Sequence, residues 1–427
     1  MERMQKKKTR KKTKKRTPKP RQALRWARDS VVNVIEADIA VARKIQAAMI
    51  PRRLPSVDGI EMASLYLPCP GLGGDLFDVI QLSEDILVFL IFDVTGHRVS
   101  STLISALAKV RFYSHIRAVR SPRVVIERVN AEIIRDISAE FYLTAFVGYL
   151  DLHDNKLTYS NAGHINPVVY RKEDNSLAPL RPQGTLIGIL DDGFYDEQNI
   201  YLSPGDWLIL FTDGILRIFG DRGVPQTRRI LDRMILKEVA RNNPAHFAEH
   251  IRLQGEHLSR AKAQHDDISL VAVEVLTQSR RNQIKEKLGF PPESPVYLQT
   301  LSYYEEMDRA TAIVLSAMDI FGYPDEVIRK MKVSLTELLV NAIHHGNGKD
   351  YTKKVFMGHV VDGKKTVVSI MDEGNGFNPG VIPDPTLPEN IGKDCGRGLY
   401  IVRHYVDNIE FNDKGNRIMI TKHHPYG

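Results

Sequence analysis

Ile86-Leu87-Val88-Phe89-Leu90-Ile91-Phe92-Asp93-Val94-Thr95-Gly96-His97 reads as a buried strand that ends on an acid and then turns. Its seven-residue apolar run, Ile86 to Phe92, is β-prone, short for a helix and the right length for a strand covered on both faces. Asp93 then stands at a sheet end, beside a glycine that lets other backbone come close. Three more aspartates occupy similar positions. Asp75 follows Gly73-Gly74; Asp213 ends Leu208-Ile209-Leu210-Phe211-Thr212 and precedes Gly214; Asp266, in His265-Asp266-Asp267, precedes Ile268-Ser269-Leu270-Val271. Acids gathered at strand ends make an oxygen-rich site for a hard divalent cation. Two such ions a few Å apart activate a water and neutralise a phosphoryl oxygen, which hydrolyses a phosphate monoester without a protein nucleophile. One Asp-Gly after a strand is usually only a turn. The weight lies in the ordered series.

Working outward, Met62–Leu67, Leu143–Leu150, Lys156–Ser160, Trp207–Phe211 and Ile268–Val275 read as further strands, and Val99–His115, Pro122–Ile137 and Ala245–Leu258 as helices. Strands in runs with helices set apart predict an α+β fold, two sheets covered by helices. Upstream, Val31, Val34, Ile35, Ile39, Ala42, Ile45 and Met49 recur at helical spacing until Pro51 and Leu54-Pro55 stop the pattern. That apolar face predicts packing, either on the body near Val99–His115 or on the same helix of a second subunit. Downstream, Gln278–Ser294 is polar and carries Pro291-Pro292, as an interdomain linker would. A second set follows: helices over Glu305–Phe321, Asp325–His345 and Leu399–Val406, and strands over Lys354–Val361, Thr366–Met371 and Arg417–Lys422.

A chain of 427 residues exceeds one core and predicts two domains. With 43% hydrophobic and 26% charged residues it is ordinary globular protein. Its longest apolar run falls far short of the roughly 20 residues of a membrane span, and no apolar signal-peptide core follows the N-terminus. Two cysteines, Cys69 and Cys395, exclude a disulfide framework and a cysteine-rich zinc module and suit a reducing cytoplasm. Met1 to Arg28 holds 14 Lys or Arg against one acid, Glu2, so it repels itself and is expected to be disordered. It is either a solvated tail or a contact for nucleic acid, an anionic membrane surface or an acidic protein patch. No aromatic interleaving in Lys6–Arg16 marks a specific nucleic-acid site.

Gly73-Gly74-Asp75-Leu76-Phe77-Asp78, Asp93-Val94-Thr95-Gly96-His97, Asn161-Ala162-Gly163-His164-Ile165-Asn166-Pro167, Phe211-Thr212-Asp213-Gly214 and Asp266-Asp267-Ile268-Ser269-Leu270 together resemble the SpoIIE/RsbU branch of the metal-dependent PPM-type serine/threonine phosphatases. The resemblance runs from about Val41 to Val275 and takes in Ala42-Arg43-Lys44-Ile45-Gln46, similar to that family's regulatory entry helix. It implies a β-sandwich flanked by helices with Mn²⁺ or Mg²⁺ at its edge. By position, Asp93 would bridge both metals and the Val94 carbonyl would complete one coordination sphere. Asp213 and Asp266 would hold the second ion, and Asp75 would act on the first through water. Asp78 and Asp267 would support these ligands. His164 either polarises substrate or is a hydrogen-bonded structural histidine. Arg98, where the family usually has glycine, either contacts substrate phosphate or covers the site; Ser100 and Ser101 stand where alanines are common.

In the second half Glu337 and Asn341 lie four apart on a helical pattern and so share a face. An acid there can accept a proton, and an amide oxygen can ligate Mg²⁺. Downstream come Asp372-Glu373-Gly374-Asn375-Gly376-Phe377 at a strand end and Gly396-Arg397-Gly398-Leu399 at a helix start, a phosphate-friendly arrangement. This triplet resembles the N, G1 and G2 boxes of the GHKL ATPase superfamily, in particular the anti-sigma-factor serine kinases of the RsbW/SpoIIAB type, over about Pro295 to Lys422. The resemblance implies a GHKL-type α/β sandwich with Glu337 as general base, Asn341 as Mg²⁺ ligand and Asp372 as adenine contact. Gly374, Gly376, Gly396 and Gly398 would shape the ATP pocket, with Arg397 near the phosphates and Asn378–Cys395 as lid. Asn416 replaces a threonine common in relatives. No histidine lies between His265 and His344, which argues against a histidine kinase and for transfer to a separate protein's Ser or Thr.

The expected layout is a basic disordered tail over 1–28, a regulatory entry helix over 29–58, a phosphatase domain over 59–276, a linker over 277–294 and an ATP-binding serine kinase domain over 295–427. The expected function is bacterial partner switching in the cytoplasm: dephosphorylating a phospho-Ser/Thr STAS-type antagonist and rephosphorylating it, with a sigma factor as a possible output partner and a homodimer as a possible assembly. The alternative keeps the phosphatase but makes the second domain a nucleotide-dependent docking module.

Overall fold

The computed structural model describes residues 39–51, 54–69, 72–83, 85–96, 99–137, 141–220, 224–260, 264, 266–301, 304–350, 353–378 and 397–426. The expected tail, residues 29–38 of the entry helix, His97, Arg98, Gly396 and nearly all of the expected ATP lid lie outside the described residues.

In chain order the first domain runs α1 (39–49), β1 (Ile60–Leu67), β2 (Leu76–Gln81), β3 (Ile86–Val94), α2 (Val99–Ala118), α3 (Pro122–Asp136), β4 (Leu143–Asp151), β5 (Lys156–Ala162), β6 (Val168–Arg171), β7 (Ser176–Pro179), β8 (Glu197–Tyr201), β9 (Trp207–Phe211), α4 (Gly214–Arg217), α5 (Val224–Val239), α6 (Pro244–Arg260) and β10 (Ile268–Val275). Two five-stranded antiparallel sheets, ordered β2-β3-β4-β5-β8 and β1-β10-β9-β6-β7, form a sandwich. β9 shows why its sequence is apolar throughout. Leu208 and Leu210 face the core between the sheets, while Trp207, Ile209 and Phe211 pack under α5 and α6 against Leu231, Ile235 and Phe247. Both faces are covered, so the polar alternation of a half-exposed strand is missing. On the other side α2 lies over β3, with Phe92 stacked on Phe112 at 5.5 Å. Burial of such side chains, roughly 1.5–3 kcal/mol each, offsets the cost of carboxylates buried at one sheet end.

The registers bring the acids to that end. Leu76 pairs with Phe92, so Asp75 and Asp93 flank one end of the first sheet. Leu270 pairs with Phe211, so Asp266 and Asp213 flank one end of the second. A hydrogen bond of 3.0 Å from Ser269 Oγ to Asp75 Oδ2 joins the two sheets there.

The second domain comprises α7 (Gln278–Lys287), β11 (Tyr297–Leu301), α8 (Met307–Ile320), α9 (Asp325–Val340), β12 (Val355–Val361), β13 (Lys365–Asp372), α10 (Arg397–Tyr405), β14 (Asn408–Phe411) and β15 (Arg417–His423). Its antiparallel sheet is ordered β11-β12-β13-β15-β14. α8, α9 and α10 cover one face through Val314, Leu335, Leu339 and Val402. The segment expected as linker contains α7, capped by Thr277 Oγ1, which accepts from Arg280 N–H. Leu288 and Phe290, just beyond it, cover the other face of the sheet with Val296 and Leu298. A single apolar residue, Ile284, among many charges hid this helix, because a helix lying on a sheet face by one side needs only a narrow stripe. Among the described residues no helix is long and apolar enough to cross a membrane.

Candidate functional site

Asp75 is 1% exposed. Its Oδ2 accepts from Ser269, while its buried Oδ1 has no hydrogen-bond partner. Burial, then the charges of Asp93 and Asp267, drive its carboxyl well above the usual carboxylate range. Asp93 is pushed up to about 8 by burial and by the negative charges of Asp213 and Asp266. Like charges this close can all ionise only when a cation joins them. Among the described residues no three His, Cys, Asp or Glu side chains already converge as a ligand cage. The donor set nonetheless fits a hard divalent ion: clustered carboxylate oxygens, one of them buried and unsatisfied, and the Val94 carbonyl beside them. That carbonyl comes so near Gly74 that a β-carbon there would meet it at 2.2 Å, so only glycine fits. Asp213 precedes α4 and is exposed, whereas Asp266 is 7% exposed with Arg217 Nη2 at 3.8 Å.

The surroundings of this cluster include Asp267, expected as a support for the ligands, and several donors that sequence reasoning missed. Asp267 accepts from Cys69 N–H (2.8 Å), Tyr66 Oη (3.2 Å) and Gln46 Nε2 (3.3 Å), which makes it the anchor of the Gly73-Gly74 loop. Gln46 also donates to the Gly73 carbonyl at 3.0 Å, joined by Thr102 Oγ1 at 3.1 Å, and Ser105 Oγ donates to Gly74 at 2.7 Å. Thus α1 meets the site through a polar residue. Of the expected apolar face, Met49 lies partly buried against the core, whereas Ile45 is 56% exposed and does not pack on its own protomer, and Gln46 is 2% exposed. A buried carboxylate and an open carbonyl at the loop reward a donor over a methyl, which turns the helix. The hint the sequence holds is the likeness of Ala42-Arg43-Lys44-Ile45-Gln46 to an entry helix. His164 has both ring nitrogens bonded, to Thr144 Oγ1 (2.9 Å) and Phe211 O (3.2 Å), and is 5% exposed, so it has no free nitrogen for substrate.

In the second domain a cavity of about 610 Å³ is lined by Glu337, Asn341, Asp372, Gly376, Gly398 and Asn416, with Ile370, Leu399 and Ile418 as apolar wall. α9 loosens into a π-helical turn over Asn341–Gly346, a local irregularity frequent at functional sites, and the turn keeps Asn341 on the cavity side of Glu337. Gly374 N–H donates to Asp372 Oδ1 at 2.8 Å, and burial raises the Asp372 carboxyl. Asn416 Nδ2 donates to the Asp372 carbonyl at 2.7 Å, so the departure at this position serves to hold the strand end. Glu337 lies against Gly398 at the start of α10, where a β-carbon would meet Oε2 at 2.2 Å. Arg397 opens α10; its side chain and Gly396 fall outside the described residues.

Residues 83–276 match the family model of Stage II sporulation protein E (SpoIIE), and residues 302–422 match that of the histidine kinase-like ATPase domain. Phosphoserine phosphatase RsbU of Bacillus subtilis is 22% identical over 242 residues, covering 56% of this chain and 70% of that protein. Serine-protein kinase RsbW of Oceanobacillus iheyensis is 26% identical over 109 residues, 24% of this chain and 69% of that one. The crystal structure of the RsbU and RsbW domains of Rv1364c from Mycobacterium tuberculosis is 20% identical over 87% of this chain and 96% of that one, with a TM-score of 0.48. The chain carries a PPM-type phosphatase domain followed by a GHKL-type domain.

Proposed function

We propose that this chain, a SpoIIE-type phosphatase domain joined to a histidine-kinase-like ATPase domain, removes phosphate from a Ser or Thr of a small STAS-type antagonist protein and uses ATP to restore it. The observation that carries the first half is the buried acid cluster, in which Asp93 is pushed up to about 8 by burial and then by its neighbours and Asp75 keeps an unsatisfied buried oxygen. Asp93, Asp75, Asp213, Asp266 and the Val94 carbonyl would hold Mn²⁺ or Mg²⁺. When bound, the ions supply an activated water and neutralise the phosphoryl oxygen, so that the P–O bond to the serine breaks. The protein's own part is placement. Ser269 orients Asp75, and Asp267, held by three donors, keeps the Gly73-Gly74 loop against Val94.

For the second half, the common cavity of Glu337, Asn341 and Asp372 supports an ATP site. Asp372 would accept the adenine amino group and Asn341 would hold Mg²⁺. Glu337 would take the proton of the attacking hydroxyl. Purified protein incubated with MnCl₂ and a phosphorylated STAS-domain antagonist, then with MgATP and the unphosphorylated form, tests both halves. Phosphate release without back-transfer would leave the second domain as a nucleotide-dependent docking module, and no release would end the phosphatase reading.

A further inference from the structure

We infer that His164 is a strut between the two sheets that sets the spacing of the strand ends carrying Asp93 and Asp213, a positioning residue for metal binding. The inference rests on the metal-site reading above.

The turn at the end of β5 is built to deliver this ring inward. Asn161 Oδ1 accepts the His164 N–H at 2.6 Å, and Asn161 Nδ2 donates to the His164 carbonyl at 3.0 Å, closing the loop on itself. Gly163 between them sits at φ +68, a left-handed conformation, and a β-carbon there would lie 2.5 Å from Leu186 Cδ2. Only glycine permits the turn. The imidazole then lies between the sheets, with one nitrogen bonded on each side.

The partners decide the tautomer. The Phe211 carbonyl can only accept, so Nε2 carries the proton, and Nδ1 must accept from the Thr144 hydroxyl. Burial lowers the ring's pKa to about 4, which agrees with an uncharged spacer. Its lone pair and its proton are both used internally.

What the two ends hold is the substance of the inference. Thr144 stands directly opposite Asp93 in the β3–β4 ladder. Directly opposed residues share a face, with β-carbons about 5 Å apart. Phe211 closes β9, and Asp213 follows two residues later. The strut therefore runs from the neighbour of one acid, in one sheet, to the base of the other acid, in the second sheet. Holding one ion between Asp93 and Asp213 requires the two strand ends to keep a fixed spacing. Apolar packing between sheets is non-directional and does not fix that spacing. Two directed hydrogen bonds through a rigid ring do.

The test uses the full-length protein and isothermal titration with MnCl₂ alone. His164→Ala is expected to weaken Mn²⁺ binding about 10–100-fold, the range for residues that orient metal ligands. His164→Gln can donate from its amide nitrogen and accept at its oxygen, so it is expected to recover most of that loss. Its turnover at saturating Mn²⁺ should match wild type, with an unchanged pH profile. Thr144→Val removes one hydrogen bond at nearly constant shape and is expected to fall between. If His164→Ala does not fold, judged by circular dichroism, the Gln and Val variants decide. Wild-type Mn²⁺ affinity in Thr144→Val or a folded His164→Ala would overturn the strut. So would a Gln variant that binds Mn²⁺ normally yet fails to turn over, since the ring would then touch substrate. The isotherm needs no substrate, so a wrong substrate class leaves the test intact. A wild-type protein that binds no Mn²⁺ would overturn the metal reading and the strut with it.

Discussion

Lys354 donates from Nζ to Glu61 Oε1 at 2.7 Å across the two domains, with 14% and 9% of the two side chains exposed. The backbone of Lys354 is clasped beside the nucleotide cavity: its N–H donates to Glu373 Oε2 at 2.8 Å and its carbonyl accepts from Asn347 Nδ2 at 3.1 Å. Breaking a buried pair from one side strands the other charge at a cost of about 3–5 kcal/mol. Arg280, at 3.9 Å from Glu61, moderates this. Lys354→Met should therefore lower the unfolding free energy by about 3 kcal/mol, read as a lower urea midpoint, and adding Glu61→Leu should restore most of it. An unchanged midpoint in the single variant would mean the pair contributes nothing in solution.

Glu274, opposite Glu61 in the β1–β10 ladder, is pushed up to about 7 by burial and then by the Glu61 charge. The folded protein thus holds a proton that the unfolded chain, with an ordinary glutamate, has released. Between about pH 4.5 and 7 the folded state binds more protons, so stability falls as pH rises through that window and the loss is complete above it. Each pKa unit is about 1.4 kcal/mol, so the fall is of order 3–4 kcal/mol. Glu274→Gln should flatten that part of the stability profile and be the more stable protein at pH 8.

Asp93→Asn is expected to abolish metal-dependent phosphate release while leaving the metal-free protein as stable as wild type or more so. It replaces a carboxyl that burial and the neighbouring acids already disfavour in its charged form with a neutral amide of the same shape. Mn²⁺ at about 100 times its Kd should stabilise wild type by about 2.7 kcal/mol and the variant far less. Thermal melts with and without MnCl₂ measure both, and a variant stabilised by Mn²⁺ as much as wild type would remove Asp93 from the ligand set.

Glu337→Ala should still bind ATP but lose transfer, whereas Asp372→Asn should bind ATP more weakly, since it reverses one hydrogen-bonding position beside Gly374. Nucleotide titrations alongside transfer assays separate the two, and equal loss of ATP affinity would undo the division of roles. Gly398→Ala should behave like a Glu337 variant because its methyl would occupy the space of Oε2.

Gln46→Ala should weaken Mn²⁺ binding and cost about 1–2 kcal/mol, because it removes one of two donors from the Gly73 carbonyl, which keeps Thr102, and one of two from Asp267 Oδ2, which keeps Tyr66. Ile45→Glu, one residue away, should change the stability of an isolated protomer by no more than about 0.5 kcal/mol, since Ile45 faces solvent. Denaturant titration of both variants at low protein concentration reads the contrast. The reverse order of effects would mean that α1 packs by its apolar side.

Much of the fold was legible because burial on both faces writes itself into short apolar runs: β3, β4, β9 and β10 were all readable within a residue or two. β8 was not, because Glu197–Tyr201 is a half-exposed edge strand that carries Glu, Gln and Asn. Nor was α5, which begins at Val224-Pro225 and carries Arg228, Arg229 and Arg233 among its apolar residues. The acids at strand ends were visible for a local reason, since a strand, an acid and a glycine are neighbours in the chain.

The sequence by itself determined which strands are buried, where each acid stands relative to its own strand, and that Glu337 and Asn341 share a helix face. Tertiary structure alone decided how those pieces meet. Ser269 reaches Asp75 across 194 positions and Gln46 reaches Asp267 across 221. Periodicity reports which side of an element avoids water and is silent about which distant donor a buried oxygen will find. A helix with apolar residues on more than one side, such as α1, can rotate to satisfy a carbonyl and a carboxylate, so its register was settled by the hydrogen bonds waiting at the Gly73 loop.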